Sequence, residues 1–80
     1  PTGVKAYMQV GEVLYLFDRS SNPRKKGLVL INSVGVIDGD YYNNPNNEGH
    51  IFAQMKNMTD QTVVLEAGER VVQGVSVNRW

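Results

Sequence analysis

Two polar stretches of the chain contain residue types that can carry chemistry. Arg19 and the hydroxyls of Ser20 and Ser21 are groups that bind phosphate oxygens through charge-assisted hydrogen bonds. Asp38 directly follows an apolar pair, and a carboxylate within hydrogen-bond reach of a water can orient and deprotonate that water. The sequence therefore offers a candidate phosphate contact and a candidate general base.

Asp38 belongs to a longer stretch, residues 28–42, whose pattern is typical of a β-hairpin. Apolar runs flank Asn32 and lead into an Asp-Gly pair, which favours a tight reversal because glycine accepts a positive φ. A hairpin with Asn32, Asp38, Asp40 and Tyr41 at its ends could hold a small planar polar molecule against its main-chain amides.

Both stretches also have a plain structural interpretation. Asn, Asp and Gly are ordinary turn residues. The basic residues within 18–27 are typical of a solvated loop, or of a short helical turn that begins at Ser20 or Ser21. The loop does not match the Gly-rich consensus of the nucleoside-triphosphatase loop.

Metal-binding patterns are not matched by the acidic and histidine residues. Asp38-x-Asp40 is not a calcium loop, because Asn43 and Gly49 stand where that loop requires glycine and glutamate. His50 has no cysteine or second histidine at ligand spacing, so we assign it a structural or merely exposed role. We predict no metal site built from protein side chains.

Apolar periodicity predicts strands on either side of these candidates. Alternation or a continuous apolar run predicts strands at residues 4–9, 13–17, 50–58, 62–65 and 71–77, in addition to the hairpin. No apolar pattern keeps helical spacing for two turns. About six or seven short strands separated by Gly, Asn and Pro turns predict an all-β sandwich or barrel.

Size and charge limit the function further. The chain has 80 residues, 8 basic and 8 acidic residues and no cysteine, so we expect one domain, 1–80, that is not a dedicated nucleic-acid binder. So small a core favours oligomerisation. There is no apolar run of ~20 residues and no signal peptide, which predicts a soluble cytoplasmic protein without a membrane partner. The first residue, Pro1, and the ending at Trp80 are typical of an excised piece.

Three stretches taken together resemble one family. They match, in order and spacing, the second, third and fourth motifs of the trimeric deoxyuridine triphosphatases (dUTPases), and most of all those of bacteria. The matching segments are residues 19–21 with 26–27, Asn32 with 35–41, and 68–73. The resemblance implies a jelly-roll-like β-barrel subunit, three to a homotrimer, with each active site assembled from several subunits. It also implies hydrolysis of dUTP to dUMP and pyrophosphate.

The resemblance assigns substrate contacts to seven positions. They are Arg19, Ser20, Ser21, Asn32, Val36, Ile37 and Tyr41. Arg19 and Ser20 would contact the triphosphate. Asn32 and the main chain around Val36 and Ile37 would bind the uracil edge and reject thymine and cytosine. Tyr41 would lie beneath the deoxyribose and leave no room for a ribose 2′-hydroxyl.

The resemblance assigns catalysis to two further residues. Asp38 would orient and deprotonate the attacking water and contact the sugar 3′-hydroxyl, and Gln73 would hydrogen-bond near the α-phosphate or that water. Mg²⁺ would be the cofactor, held mainly through substrate phosphates and water.

The chain also departs from the family pattern. The first motif, an Ala-Gly-Tyr-Asp stretch, and the Gly-rich fifth motif are absent from these 80 residues. Asn43 stands where the third motif ends in glycine, although Asn can adopt the left-handed conformation. Closure and positioning supply much of the rate in phosphoryl transfer, so we expect slow hydrolysis or none.

Two other interpretations stay open. The chain could be an excised or engineered β module with residual or no nucleotide binding. It could also present a basic phosphate-binding or nucleic-acid surface at Arg24, Lys25 and Lys26, whose binding would depend steeply on salt.

Overall fold

The computed structural model describes residues 1–21 and 25–78, and within them the fold consists of short antiparallel strands. The strands are β1 (Glu12–Asp18), β2 (Leu28–Leu30), β3 (Val34–Asp38), β4 (Met55–Asn57) and β5 (Val72–Asn78), and a 3₁₀ helix, Gly39–Tyr41, follows β3. The predicted all-β class is confirmed for the described part of the chain.

Strand β1 is the centre of the larger of two sheets. It lies between β3 and β5 in a three-stranded sheet, while β2 and β4 form a separate two-stranded sheet. Residues 13–17 of β1 pair with β3, and residues 12–18 pair with β5. No residue of β1 is exposed, in keeping with the continuous apolar run at 13–17.

Leu16 lies opposite a glycine on each neighbouring strand, Gly35 of β3 and Gly74 of β5. A Cβ added at Gly35 would lie 3.3 Å from the Leu16 Cβ, and one added at Gly74 would lie 3.2 Å from the Leu14 Cδ1. The two glycines therefore leave the space that the leucine side chains of β1 occupy.

The core joins the two sheets through a small aliphatic cluster. Leu16 of β1, Leu30 of β2 and Ile51 are only 6%, 7% and 3% exposed. Partly buried residues pack against this cluster: Ala6, Leu14, Ile37, Tyr41, Ala53, Met55 and Val72. Each fully buried aliphatic side chain contributes about 1.5–3 kcal/mol, so losing any of the three central residues would weaken the contact between the sheets.

The predicted hairpin over residues 28–42 is wrong. Strands β2 and β3 do not pair with each other; β2 pairs with β4 and β3 pairs with β1. The chain turns at residues 31–33, where the Ser33 N–H donates to the Leu30 carbonyl at 3.1 Å, and Asp38-Gly39 leads into the 3₁₀ helix. Long-range pairing with β1 outweighs the local turn signal here, because it places Gly35 against Leu16 and lets Ile37 pack against the core.

The other strand predictions have mixed outcomes. The strands predicted at 13–17 and 71–77 are confirmed within one residue at each end, whereas the one at 50–58 is reduced to β4. Residues 4–9 and 62–65 have no strand assignment. Residues 2–4 bond across to residues 50 and 51: the Ile51 N–H donates to the Val4 carbonyl at 2.9 Å, and the Gly3 N–H donates to the His50 Nε2 at 3.0 Å. Within residues 1–21 and 25–78 these segments have no longer ladder partner.

Two conformational predictions fall in loops. Asn43 adopts a φ of 54°, which confirms that asparagine enters the left-handed region here. Ser21 and Lys25 have helical backbone, but residues 22–24, on which the predicted helical turn depends, lie outside the described part of the chain. Arg24, named for the basic surface, lies outside the described residues, as do residues 79–80. Among the helical residues that are described, no segment has the length and apolar character needed to cross a membrane.

Gly49→Ala should destabilise the fold more than Gly68→Ala. Both glycines have a φ near +85°, at 87° and 85°, so alanine in the left-handed region costs about 1 kcal/mol at each position. At Gly49 the new Cβ would also lie 2.7 Å from the Asn43 nitrogen, which adds roughly 1–3 kcal/mol, while Gly68 faces open space. Urea unfolding measures the free energy of unfolding of each variant. An equal decrease in the two variants would contradict the close contact at Gly49.

Candidate functional site

The predicted phosphate contacts begin where β1 ends. Arg19 and Ser21 are half-buried and Ser20 is exposed, directly after Asp18. The Asp18 carboxylate accepts a hydrogen bond from the Leu30 N–H at 2.9 Å, which ties this end of β1 to the second sheet. The start of the 19–21 segment is therefore fixed to both sheets.

Gln73 lies at the same end of the sheet. It is opposite Phe17 on the β1–β5 ladder, and its Nε2 donates to the Asp18 carbonyl at 3.0 Å. The predicted catalytic amide is thereby brought beside the predicted phosphate contacts. The sequence did not predict that Asp18 would connect these segments. The one feature that could have indicated it is a carboxylate directly after a strongly apolar run.

The three residues predicted to bind uracil line one cavity. Asn32, Val36 and Ile37 surround a space of about 220 Å³. The rest of its lining is Leu16, Leu30, Gly35, Phe52 and Gln54. The cavity is smaller than the roughly 300–1,000 Å³ of pockets for drug-sized molecules, so it suits a group the size of a single base. Phe52 and Gln54 were not foreseen as lining residues.

Asp38 lies at the opposite end of β1 from the phosphate contacts. It pairs with Val13, and its exposed side chain borders a cavity of about 270 Å³ beside residues 8–12. At a rise of ~3.3 Å per residue, Val13 and Asp18 are about 17 Å apart along the strand. Asp38 and Ser20 of one chain are thus too far apart to act on the same phosphorus atom.

Tyr41 follows β3 in the 3₁₀ helix. Its half-buried ring packs against the aliphatic core. Its hydroxyl donates to the His50 carbonyl at 2.7 Å and accepts from the Asn47 Nδ2 at 2.9 Å. His50 has the structural role expected of it, since its Nε2 accepts from the Gly3 N–H at 3.0 Å.

One ion pair links the segments that match the second and fourth motifs. Lys26 bonds to the Glu69 carboxylate, which also accepts from the Glu66 N–H at 3.0 Å. The hydrogen bond from Lys26, together with the one from Glu66, holds the pKa of Glu69 below its ordinary value. Among residues 1–21 and 25–78, no three acidic or histidine side chains are grouped so that they could hold a metal ion.

Comparison with known proteins identifies the family. No protein-family model matches the chain. It is 81% identical over 75 residues to the deoxyuridine 5′-triphosphate nucleotidohydrolase of Lactococcus lactis, and 36% identical over 76 residues to that of a Hydrogenobaculum species. These matches cover 94% and 95% of the chain. A crystal structure of dUTPase from Streptococcus mutans superposes with a TM-score of 0.96 at 96% identity over 98% of the chain. The chain belongs to the dUTPase family.

Coverage of the relatives is partial. The chain spans about half the length of the curated dUTPases that it matches, 50% and 49% for the two above, and 61% of the Streptococcus mutans chain. The predicted resemblance to bacterial dUTPases is confirmed by these matches. The roles of individual residues in this dUTPase segment stay predictions.

Removal of the Asp18 carboxylate should destabilise this dUTPase segment. Asp18→Ala leaves the N–H of buried Leu30 without its acceptor, which costs about 1–3 kcal/mol. Asp18→Asn keeps an acceptor oxygen at the same place and should lose less. Urea unfolding of the two variants checks this; equal destabilisation would mean that the hydrogen bond is not the cause.

Acid should remove the contribution of Glu69 to stability. Its pKa is lowered in the folded chain, so the contribution is complete above its ordinary value of 4.5 and is lost as pH falls through the lowered pKa. As the pH is lowered from 5 through the lowered pKa of Glu69, the free energy of unfolding of wild type should therefore decrease more than that of Glu69→Gln. Glu66→Gln is the control, because Glu66 takes part through its main-chain N–H. Parallel pH curves for wild type and Glu69→Gln would contradict this.

Proposed function

We propose that the chain forms the nucleotide-binding core of a dUTP diphosphatase, in which water attacks the α-phosphorus of dUTP and dUMP and pyrophosphate leave. The single observation that carries this proposal is the 96% identity and TM-score of 0.96 to the Streptococcus mutans dUTPase over nearly the whole chain. So close a similarity of sequence and backbone supports the same chemistry.

Uracil would occupy the cavity beside β3. Asn32 and the main chain around Val36 and Ile37 would pair with the edge of the base, and the cavity volume of about 220 Å³ supports a group of that size. A site built to hydrogen-bond one edge rejects cytosine, because its buried polar groups would then lack partners. Thymine would be rejected by its methyl group, which needs space beyond that of the uracil ring itself.

The reacting groups would come from more than one copy of the chain. Asp38 is proposed as the base that orients and deprotonates the water, Arg19, Ser20 and Ser21 as triphosphate contacts, and Gln73 as a hydrogen-bond donor near the α-phosphate. The distance of about 17 Å along β1 supports a site in which different copies supply Asp38 and Arg19.

A homotrimer would supply the missing contacts. Large apolar side chains are exposed in the single chain, including Tyr7 at 76%, Val10 at 100% and Val64 at 68%. Exposed apolar surface of this kind is typical of interfaces between subunits. The nucleotide would thus bind between subunits, and no membrane or nucleic acid is proposed as a partner. We place the activity in the cytoplasm, where free nucleotides occur.

Mg²⁺ is proposed as the cofactor. The described residues offer no cage of three acidic or histidine ligands, and Mg²⁺ commonly keeps several waters and binds through substrate phosphates. The triphosphate oxygens and water would therefore hold the ion, whose role is to neutralise charge on the phosphates. No side chain of this chain is assigned as a direct ligand.

Hydrolysis by these 80 residues alone should be slow. In-line positioning and exclusion of water provide much of the rate in phosphoryl transfer, and the chain covers 50% of its Lactococcus relative. A chain without measurable uracil-selective binding would favour the other interpretation, a β module without catalytic function.

In a full-length dUTPase that contains this sequence, mixing two inactive variants should restore pyrophosphate release. Asp38→Asn removes the proposed base and should lower the rate by about 100-fold or more. Arg19→Ala removes a phosphate contact and should be similarly impaired. If the two residues meet across copies, an equimolar mixture of the denatured and refolded variants should recover about a quarter of the wild-type rate, as random assembly of a symmetric trimer requires.

The matched control is Asp40→Asn, an exposed acid two residues from Asp38 that has no proposed role. It should leave the rate within a few-fold of wild type. Undiminished turnover in Asp38→Asn would remove the proposed base. A mixture no more active than its components, with a monomeric mass in solution, would contradict the shared site.

A further inference from the structure

The phenol of Tyr41 is held at both of its hydrogen-bonding positions. The hydroxyl donates to the His50 carbonyl at 2.7 Å and accepts from the Asn47 Nδ2 at 2.9 Å. The ring itself packs against the cluster of Leu16, Leu30 and Ile51. Apolar packing alone lets a ring slide, whereas two directed bonds at its tip fix where its plane lies.

Asn47 is in turn fixed by the polar loop that contains it, residues 43–49. Its Oδ1 accepts from the Asn44 Nδ2 at 2.8 Å and from the Gly49 N–H at 3.1 Å. These two bonds orient the amide so that its Nδ2 faces the Tyr41 hydroxyl. Since Asn47 is half-buried, its amide exchanges these partners for water less readily than an exposed one.

Asn44 closes the network back onto Tyr41. Its Nδ2 also donates to the Tyr41 carbonyl at 2.7 Å, and its Oδ1 accepts from the N–H groups of Asn46 and Asn47 at 3.0 and 3.1 Å. The loop thus holds both the main chain and the hydroxyl of Tyr41. A seven-residue loop would not need to converge on one phenol in order to connect two segments.

We propose that Asn47 is a positioning residue that fixes the Tyr41 ring and thereby sets how strongly the site prefers a deoxyribonucleotide to a ribonucleotide. The inference rests on the proposed function, in which the ring lies beneath the sugar. Rejection of a 2′-hydroxyl requires a wall that does not move, because a ring free to shift by a fraction of an ångström makes room for the extra oxygen. Asn47 does not contact the nucleotide in this scheme and acts only through Tyr41.

The test compares binding of non-hydrolysable dUTP and UTP analogues to the wild-type chain and its variants by calorimetry. Asn47→Ala should lower the ratio of the two affinities by about five- to tenfold, the factor that corresponds to one net hydrogen bond. The loss should come from tighter UTP-analogue binding, with dUTP-analogue binding nearly unchanged. A role in stability alone would weaken both analogues together and leave the ratio unchanged.

Tyr41→Phe provides a second variant that does not disturb the loop. It keeps the ring and the bonds of Asn47 to Asn44 and Gly49, but it removes both bonds of the hydroxyl, so it should lower the ratio at least as much. Because both variants break the same bond, the double variant should lose less than the product of the single effects. Asn46→Ala is the control, since Asn46 is exposed and joins the network through its main-chain N–H. Its ratio should equal that of wild type.

Motion of the Tyr41 ring in the nucleotide-free chain gives an independent readout. Carbon-13 relaxation should show a more mobile ring in Asn47→Ala and Tyr41→Phe than in wild type or Asn46→Ala. If Asn47→Ala does not fold, Tyr41→Phe tests the inference alone: an affinity ratio and a ring mobility equal to those of wild type would overturn it.

The outcomes separate the two proposals. A wild-type chain that discriminates between the analogues, with variants that keep the same ratio, would overturn this inference and leave the proposed function intact. A wild-type chain that binds neither uracil nucleotide would overturn the proposed function, and the inference would be overturned with it.

Discussion

The close packing of Leu16 against glycine on both neighbouring strands is the constraint on which the rest of the structure depends. Gly35 and Gly74 lie opposite Leu16, and a Cβ on either would meet the leucines of β1 at 3.2–3.3 Å. The space they leave lets Leu16 reach Leu30 and Ile51 and join the two sheets. The register of β3 and β5 against β1 is the one that brings both glycines opposite Leu16. It places Asp38 opposite Val13 and Gln73 opposite Phe17, so the positions of both proposed catalytic residues follow from the packing at the centre of the sheet.

Local sequence pattern predicted what depends on near neighbours in the chain. The continuous apolar run at 13–17 predicted the central strand, and the left-handed Asn43 followed from its residue type. The hairpin at 28–42 was wrong, although its turn residues were strong local signals. Strand β3 forms its ladder with β1, which lies some twenty residues earlier in the chain, and no local pattern indicates which distant strand wins that competition.

The site was predictable by motif and not by geometry. The order of the motifs identified the family and named Asn32, Val36 and Ile37, which the structure brings to one cavity. The same motifs gave no sign that Asp38 and Ser20 lie near opposite ends of one strand. The hydrogen bonds of Asp18 and Asn47 could not be predicted from the sequence, because each joins a side chain to a group that only the folded chain brings near. Asn47 belongs to a loop that the sequence marked only as polar.

The separation of the two groups along β1 has a thermodynamic consequence under the proposed function. A ligand that bridges copies of a chain binds the assembled form and not the isolated one, so ligand affinity and subunit affinity are linked and each raises the other. Dilution would then weaken nucleotide binding even at a fixed nucleotide concentration. Substrate would in turn favour assembly, and the level of dUTP itself would govern how much of the protein exists in the competent state.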